Sequence, residues 1–174
     1  EEMEHEAARR AFAAAVAADP SLALSHVNLA FSMILAGDFS DAERELRTAL
    51  EIEPDSSGAF LNLTWIRKTA PGDPLIDRLA ELRRKGGADD GAHARYCFAL
   101  GKCYDDVGEY DRAFECIAEG NDRYGVAYDD AASERHFAAI KRNYDRKFMQ
   151  DRRGAGYKSD KPVFIVGFPR CGSS

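Results

Sequence analysis

The residue pattern with the clearest chemical meaning is Gly167-Phe-Pro-Arg170-Cys171-Gly172-Ser173-Ser174, two glycines spaced to leave four residues between them and followed by two hydroxyls. A phosphate-cradling loop needs this frame. Its glycines let successive backbone N–H groups turn toward phosphate oxygens, and the helix N-terminus that follows favours negative charge. Arg170 adds a cation, and Ser173 and Ser174 add hydroxyl donors. A kinase or ATPase loop carries Lys where this chain has Ser173, so chemistry at β/γ-phosphates is disfavoured.

Such a loop must be held by a strand behind it and a helix beyond it. The strand is supplied by Pro162-Val-Phe-Ile-Val-Gly167, an apolar, β-branched run bounded by Pro and Gly, which reads as a buried parallel strand. Without the rest of a sheet nothing fixes the loop backbone, so residues 1–174 alone are expected to be catalytically inactive. Residues 141–161 hold eight Lys/Arg against three Asp, and Arg170 adds one more positive charge, which leaves −12 for residues 1–140 within a chain of net charge −6. The expected organisation is a helical domain over 1–149, a basic linker over 150–161, and the start of an α/β domain over 162–174.

The helical part repeats. Ala8, Phe12, Ala15 and Pro20 recur 34 residues later as Ala42, Leu46, Ala49 and Pro54. Leu29, Ala30, Met33, Gly37 and Phe39 precede the second set, and Leu100, Gly101, Tyr104, Gly108, Tyr110 and Ala113 form a further copy. Small residues (Ala30, Ala42, Gly101, Ala113) let two antiparallel helices cross closely, with Phe12, Phe39 and Tyr110 expected to fill the adjoining holes. The spacing predicts helices near 4–18, 22–36, 40–53, 57–69, 74–85, 91–107, 111–122 and 130–149. Ser40 to Glu43 has the form of a capping box, and Asp73-Pro74 that of an N-cap and first helical residue ahead of the stripe Leu75, Ile76, Leu79 and Leu82, which Gly86-Gly87 ends. The unit from Ser57 is 37 residues long instead of 34, which predicts a longer loop within it. The first unit has no preceding helix, so one face of residues 8–16 is expected to lack a cover unless another segment or a second copy packs there.

These residues resemble the tetratricopeptide repeat. The resemblance implies an all-α, right-handed superhelix of antiparallel helix pairs whose concave face is lined by the first helix of each pair. In this register that face carries Leu24, Val27, Phe31, Ile34 and Leu35, then Leu61 and Trp65, then Arg95, Phe98 and Lys102. A protein or peptide partner could occupy such a groove, and so could another part of the same chain. Trp65, the only Trp, is expected in the core.

The string Gly-Phe-Pro-Arg-x-Gly-Ser-Ser is similar to the 5′-phosphosulfate loop of sulfotransferases, usually Pro-Arg/Lys-Ser-Gly-Thr-Thr, from which Cys171, Ser173 and Ser174 depart while keeping size or hydroxyls. With the repeats and the basic stretch, nearly the whole chain resembles the bacterial tetratricopeptide-repeat sulfotransferases. That implies a PAPS (3′-phosphoadenosine 5′-phosphosulfate) cosubstrate and sulfuryl transfer to a hydroxyl or amine. Arg170, Cys171, Gly172, Ser173 and Ser174 would contact the phosphosulfate, Arg170 also stabilising charge on the transferred group. The base, the 3′-phosphate site and the acceptor pocket would lie beyond Ser174. The other reading is a free-standing tetratricopeptide scaffold.

Several classes are disfavoured. The acidic balance argues against a nucleic-acid module. No apolar run reaches the ~20 residues of a membrane span, and no basic-then-apolar leader is present, so a cytoplasmic location is expected. Cys97, Cys103, Cys116 and Cys171 form no CxxC pair and have no His at metal-ligand spacing, and His5, His26, His93 and His136 share no helical face and have no Asp/Glu or Ser/Cys partner at catalytic spacing, so no metal is expected. A homo-oligomer is compatible with the sequence.

Overall fold

A computed structural model describes residues 2–85, 89–125 and 129–154, with side chains from Glu6 onward. All regular structure among these residues is helical: α1 (Glu2–Ala18), α2 (Ala23–Ala36), α3 (Phe39–Ile52), α4 (Ser57–Ile66), α5 (Pro74–Lys85), α6 (Asp90–Asp106), α7 (Tyr110–Tyr124), α8 (Asp130–Asn143) and α9 (Arg146–Asp151). No helix among them is long and apolar enough to cross a membrane. The chain divides into two compact units, Glu1–Val126 and Ala127–Ser174. The strand expected at 162–167, the loop 167–174 with Arg170, Cys171, Gly172, Ser173 and Ser174, and Gly86-Gly87 lie outside the described residues.

Two hairpin turns in the first unit follow from local chemistry. Gly37 takes φ 85°, closing α2 with its N–H on the Ile34 carbonyl at 3.0 Å while the Asp38 N–H reaches Met33 at 2.9 Å. Gly108 repeats the device at φ 82°, with Glu109 N–H on Tyr104 at 2.9 Å. A side chain at either position would be strained.

Three expectations about helix ends need correction. The capping box at Ser40–Glu43 does not form: α3 begins at Phe39, and Glu43 pairs instead with Arg47 one turn on, 3.1 Å from its Nε. The helix expected over 57–69 stops at Ile66, because residues 67–73 are pinned to α6. Thr69 N–H donates to Asp106 Oδ2 at 2.7 Å, Thr69 Oγ1 donates to Cys103 Sγ at 3.4 Å, and Lys102 Nζ donates to the Arg67 carbonyl at 3.1 Å. The helix expected over 130–149 is broken at Tyr144-Asp145, where the Asp145 carboxylate accepts from Phe148 N–H at 2.7 Å and starts α9 as an N-cap.

The packing of α1–α7 has two apolar clusters. One holds Val27, Ala30, Ala42, Leu46, Ala49, Ala59 and Leu63; the other holds Phe60, Leu79, Leu82, Tyr96, Leu100, Cys103 and Cys116. Leu50 packs against both. Small residues do set the closest crossing: a Cβ on Gly101 would lie 2.9 Å from Ile117 Cγ1 and 3.2 Å from the Ala113 carbonyl oxygen on α7. Phe39 and Tyr110 do not fill holes, however. Each is the first residue of its helix, and they are 51% and 68% exposed. In α1 the counterparts of the fully buried Ala42, Leu46 and Ala49 are half-buried Ala8, half-buried Phe12 and exposed Ala15, since the extensive packing on this helix comes from α2.

Candidate functional site

The first unit carries a pocket of about 870 Å³. Leu24 and Val27 of α2 form its apolar wall, Ser57 and Gly58 of α4 lie between, and Arg95 and Tyr96 of α6 face them. Gly58 lies against α2, where a Cβ would make ordinary contact with Val27 Cγ1 at 3.4 Å. The rim is fixed by Asp55, whose carboxylate pairs with Arg78 and lies 3.7 Å from Lys85 Nζ, while its carbonyl accepts from the Tyr96 hydroxyl. Arg95 Nε donates to Ser57 Oγ at 2.9 Å, and Arg95 forms no ion pair among the described residues. The pocket therefore offers an apolar wall, with Leu24 60% exposed, opposite the Arg95 guanidinium, within a lining that also carries Glu53, Asp55, Asp89 and Lys85.

Of the residues expected along the concave face, the fold brings Leu24, Val27 and Arg95 into this pocket. Phe31, Leu35 and Trp65 are exposed on the first helices of their pairs, Trp65 at 58%, which corrects its expected place in the core. Ile34 and Leu61 pack against the two apolar clusters. Phe98 lies against α7, where the Cβ that Gly120 lacks would meet its ring at 2.7 Å and Tyr124 stacks at a tilt, 6.4 Å between centroids. Lys102 is committed to Asp106 and the Arg67 carbonyl.

The succession of antiparallel pairs α2/α3 and α6/α7, joined across α4 by first helices that line one pocket, is the arrangement the sequence resemblance implies. Residues 1–64 match the Tetratricopeptide repeat family. The match covers α1 to most of α4 and supports a tetratricopeptide-repeat protein. No curated protein matches the chain. Tetratricopeptide repeats mediate protein interactions, and that is the coarse function the match supports.

In the last repeat pair the structure also assembles a polar cluster that the sequence reading did not find. His93 Nε2 lies 2.6 Å from Glu119 Oε1, and Arg83 Nε donates to Glu119 Oε2 at 2.9 Å. Donor atoms of His93, Cys97 and Glu119 all lie within 4.8 Å of one another. This overturns the expectation that no histidine has a Cys or Glu partner at catalytic spacing. Half of the signal was present in the sequence: His93 and Cys97 are four residues apart and so share a helix face. Glu119, from the partner helix, was not visible without the hairpin. The Arg83 and His93 hydrogen bonds pull the Glu119 carboxyl down to about 2, while burial and the facing Glu119 charge push the Cys97 thiol up to about 12. A second pair does similar structural work earlier in the chain, with His26 Nδ1 2.7 Å from Glu45 Oε2 and His26 Nε2 3.0 Å from the Pro20 carbonyl.

Proposed function

We propose that the repeat array binds an extended peptide segment of a protein partner, with an apolar side chain against Leu24 and Val27 and an acidic group at Arg95. The open pocket of about 870 Å³ carries this reading, because it falls within the size range of ligand sites and sets Arg95, which pairs with none of the lining carboxylates Glu53, Asp55 and Asp89, opposite the exposed Leu24. The outcome to expect is that random peptides selected on the intact chain converge on sequences pairing an acidic with an aliphatic residue. Arg95→Gln and Leu24→Ser should each weaken those peptides about tenfold, the cost of one charge-assisted hydrogen bond or one buried aliphatic contact. Selected peptides that bind both folded variants as tightly as the parent would overturn the reading.

The string Gly167–Ser174 favours a more specific reading of the longer protein, in which the array positions an acceptor for a PAPS-dependent sulfotransferase domain that begins near Pro162. Arg170 would then face the 5′-phosphosulfate beside Gly172, Ser173 and Ser174. Calorimetry with 3′-phosphoadenosine 5′-phosphate is the test. Binding is expected for a chain extended past Ser174 and not for residues 1–174, with Arg170→Ala reducing it at least tenfold. An extended chain that does not bind the nucleotide sinks this reading and leaves the peptide site standing.

A further inference from the structure

We propose that His93, Cys97 and Glu119 form a site for one divalent transition-metal ion, with zinc the best fit to its donors. The three side chains come from the most closely packed pair of helices: His93 and Cys97 stand one turn apart on α6, and Glu119 projects from α7. Their donor atoms, within 4.8 Å, need only side-chain rotation to reach the roughly 3.5 Å separation that tetrahedral zinc bond lengths imply. A nitrogen, a sulfur and an oxygen donor together suit zinc and its neighbours and do not suit magnesium or calcium, which take oxygen ligands.

The surroundings are arranged for this role. Arg83 occupies Glu119 Oε2, which orients the carboxylate and leaves Oε1 toward His93, as an outer partner of a ligating carboxylate does. His93 and Cys97 are buried, while the Glu119 side chain keeps 31% of its surface exposed, so the ion enters from that side and water completes its coordination. On binding, the Cys97 S–H bond breaks and its proton leaves to solvent as the sulfur–metal bond forms. His93 gives up its hydrogen bond to Glu119, the Nε2 proton passing to solvent while Nδ1 holds the ring's remaining proton, and it ligates as neutral imidazole through Nε2. The thiolate and carboxylate balance the two charges of the ion, and Arg83 keeps its pairing with Glu119.

Cobalt(II) is the probe, since a cobalt–thiolate bond gives a charge-transfer band and a tetrahedral site gives strong visible d–d absorption. Titration of the reduced 174-residue chain should develop both at one equivalent, zinc should bleach them, and zinc should raise the melting temperature. Cys103→Ala and Cys171→Ser should retain the spectrum. Cys97→Ala should abolish the thiolate band, and His93→Gln and Glu119→Gln should weaken binding at least tenfold, with circular dichroism in chelator confirming that each is folded. No thiolate band in the parent chain, a band that persists in Cys97→Ala or vanishes in Cys171→Ser, or parental affinity in folded Glu119→Gln would each overturn the proposal.

Discussion

Leu100→Ala lowers the stability of the repeat array by about 3–4 kcal/mol, in the upper part of the range for a fully buried leucine. Leu100 is 0% exposed and sits among Phe60, Leu79, Leu82, Tyr96 and Tyr104, residues contributed by α4, α5 and α6. The void left by its isobutyl group is walled on all sides by helices already in contact, so little collapse can offset the lost contacts. Leu46→Ala in the other cluster, also at 0% exposure, should cost about as much. Both variants should unfold in one urea transition. The reason is α4: this ten-residue helix gives Phe60 to one cluster and Ala59 and Leu63 to the other, so neither cluster can melt while the helix is held by its neighbour. A split transition in Leu100→Ala alone would show that the pairs melt separately, as weakly coupled repeats do.

How much of this was readable depends on how local each determinant is. Gly37 and Gly108 ended their helices where expected, because a left-handed residue followed by a chain reversal needs only its own neighbours. Leu24, Val27 and Arg95 are placed on one face by the tetratricopeptide resemblance, and the fold brings them to one pocket. Ser57, Lys85 and Asp55 were not anticipated there, since their position depends on how the 37-residue unit accommodates its extra residues. The break at Asp145 carries no Gly or Pro to announce it; an aspartate competing for the Phe148 N–H decides it. Trp65 was misplaced because burial is set by what packs on a helix, and the hydrophobicity of the residue does not say what that is. Glu119 lies 26 residues from His93, a distance bridged only once the α6/α7 hairpin closes.

The longer unit also yields the second large effect. Asp106→Ala should cost about 2–4 kcal/mol, because one carboxylate with 12% of its surface exposed holds the 67–73 segment to α6. Thr69 is 2% exposed, so its N–H loses its acceptor in a place water reaches poorly, at about 1–3 kcal/mol, and Lys102 loses its ion pair at the same time. Asp106→Asn keeps an oxygen for Thr69 and gives up only the charge, so it should cost about half as much. Acid separates the two contributions. Burial works to raise the Asp106 carboxyl, but hydrogen bonds from Lys102 and Thr69 outweigh it and hold the group below its ordinary value of 3.8. A group depressed in the folded state stabilises above its unfolded value and loses that contribution as the pH falls through the folded one. The stability gap between the parent chain and Asp106→Asn, measured by urea unfolding, should therefore be full at neutral pH and narrow progressively below 3.8, while the gap to Asp106→Ala narrows less because the Thr69 acceptor is still missing. If the Asn gap does not change with pH, the Lys102–Asp106 pairing contributes nothing, and Asp106 acts on the segment through the Thr69 bond alone.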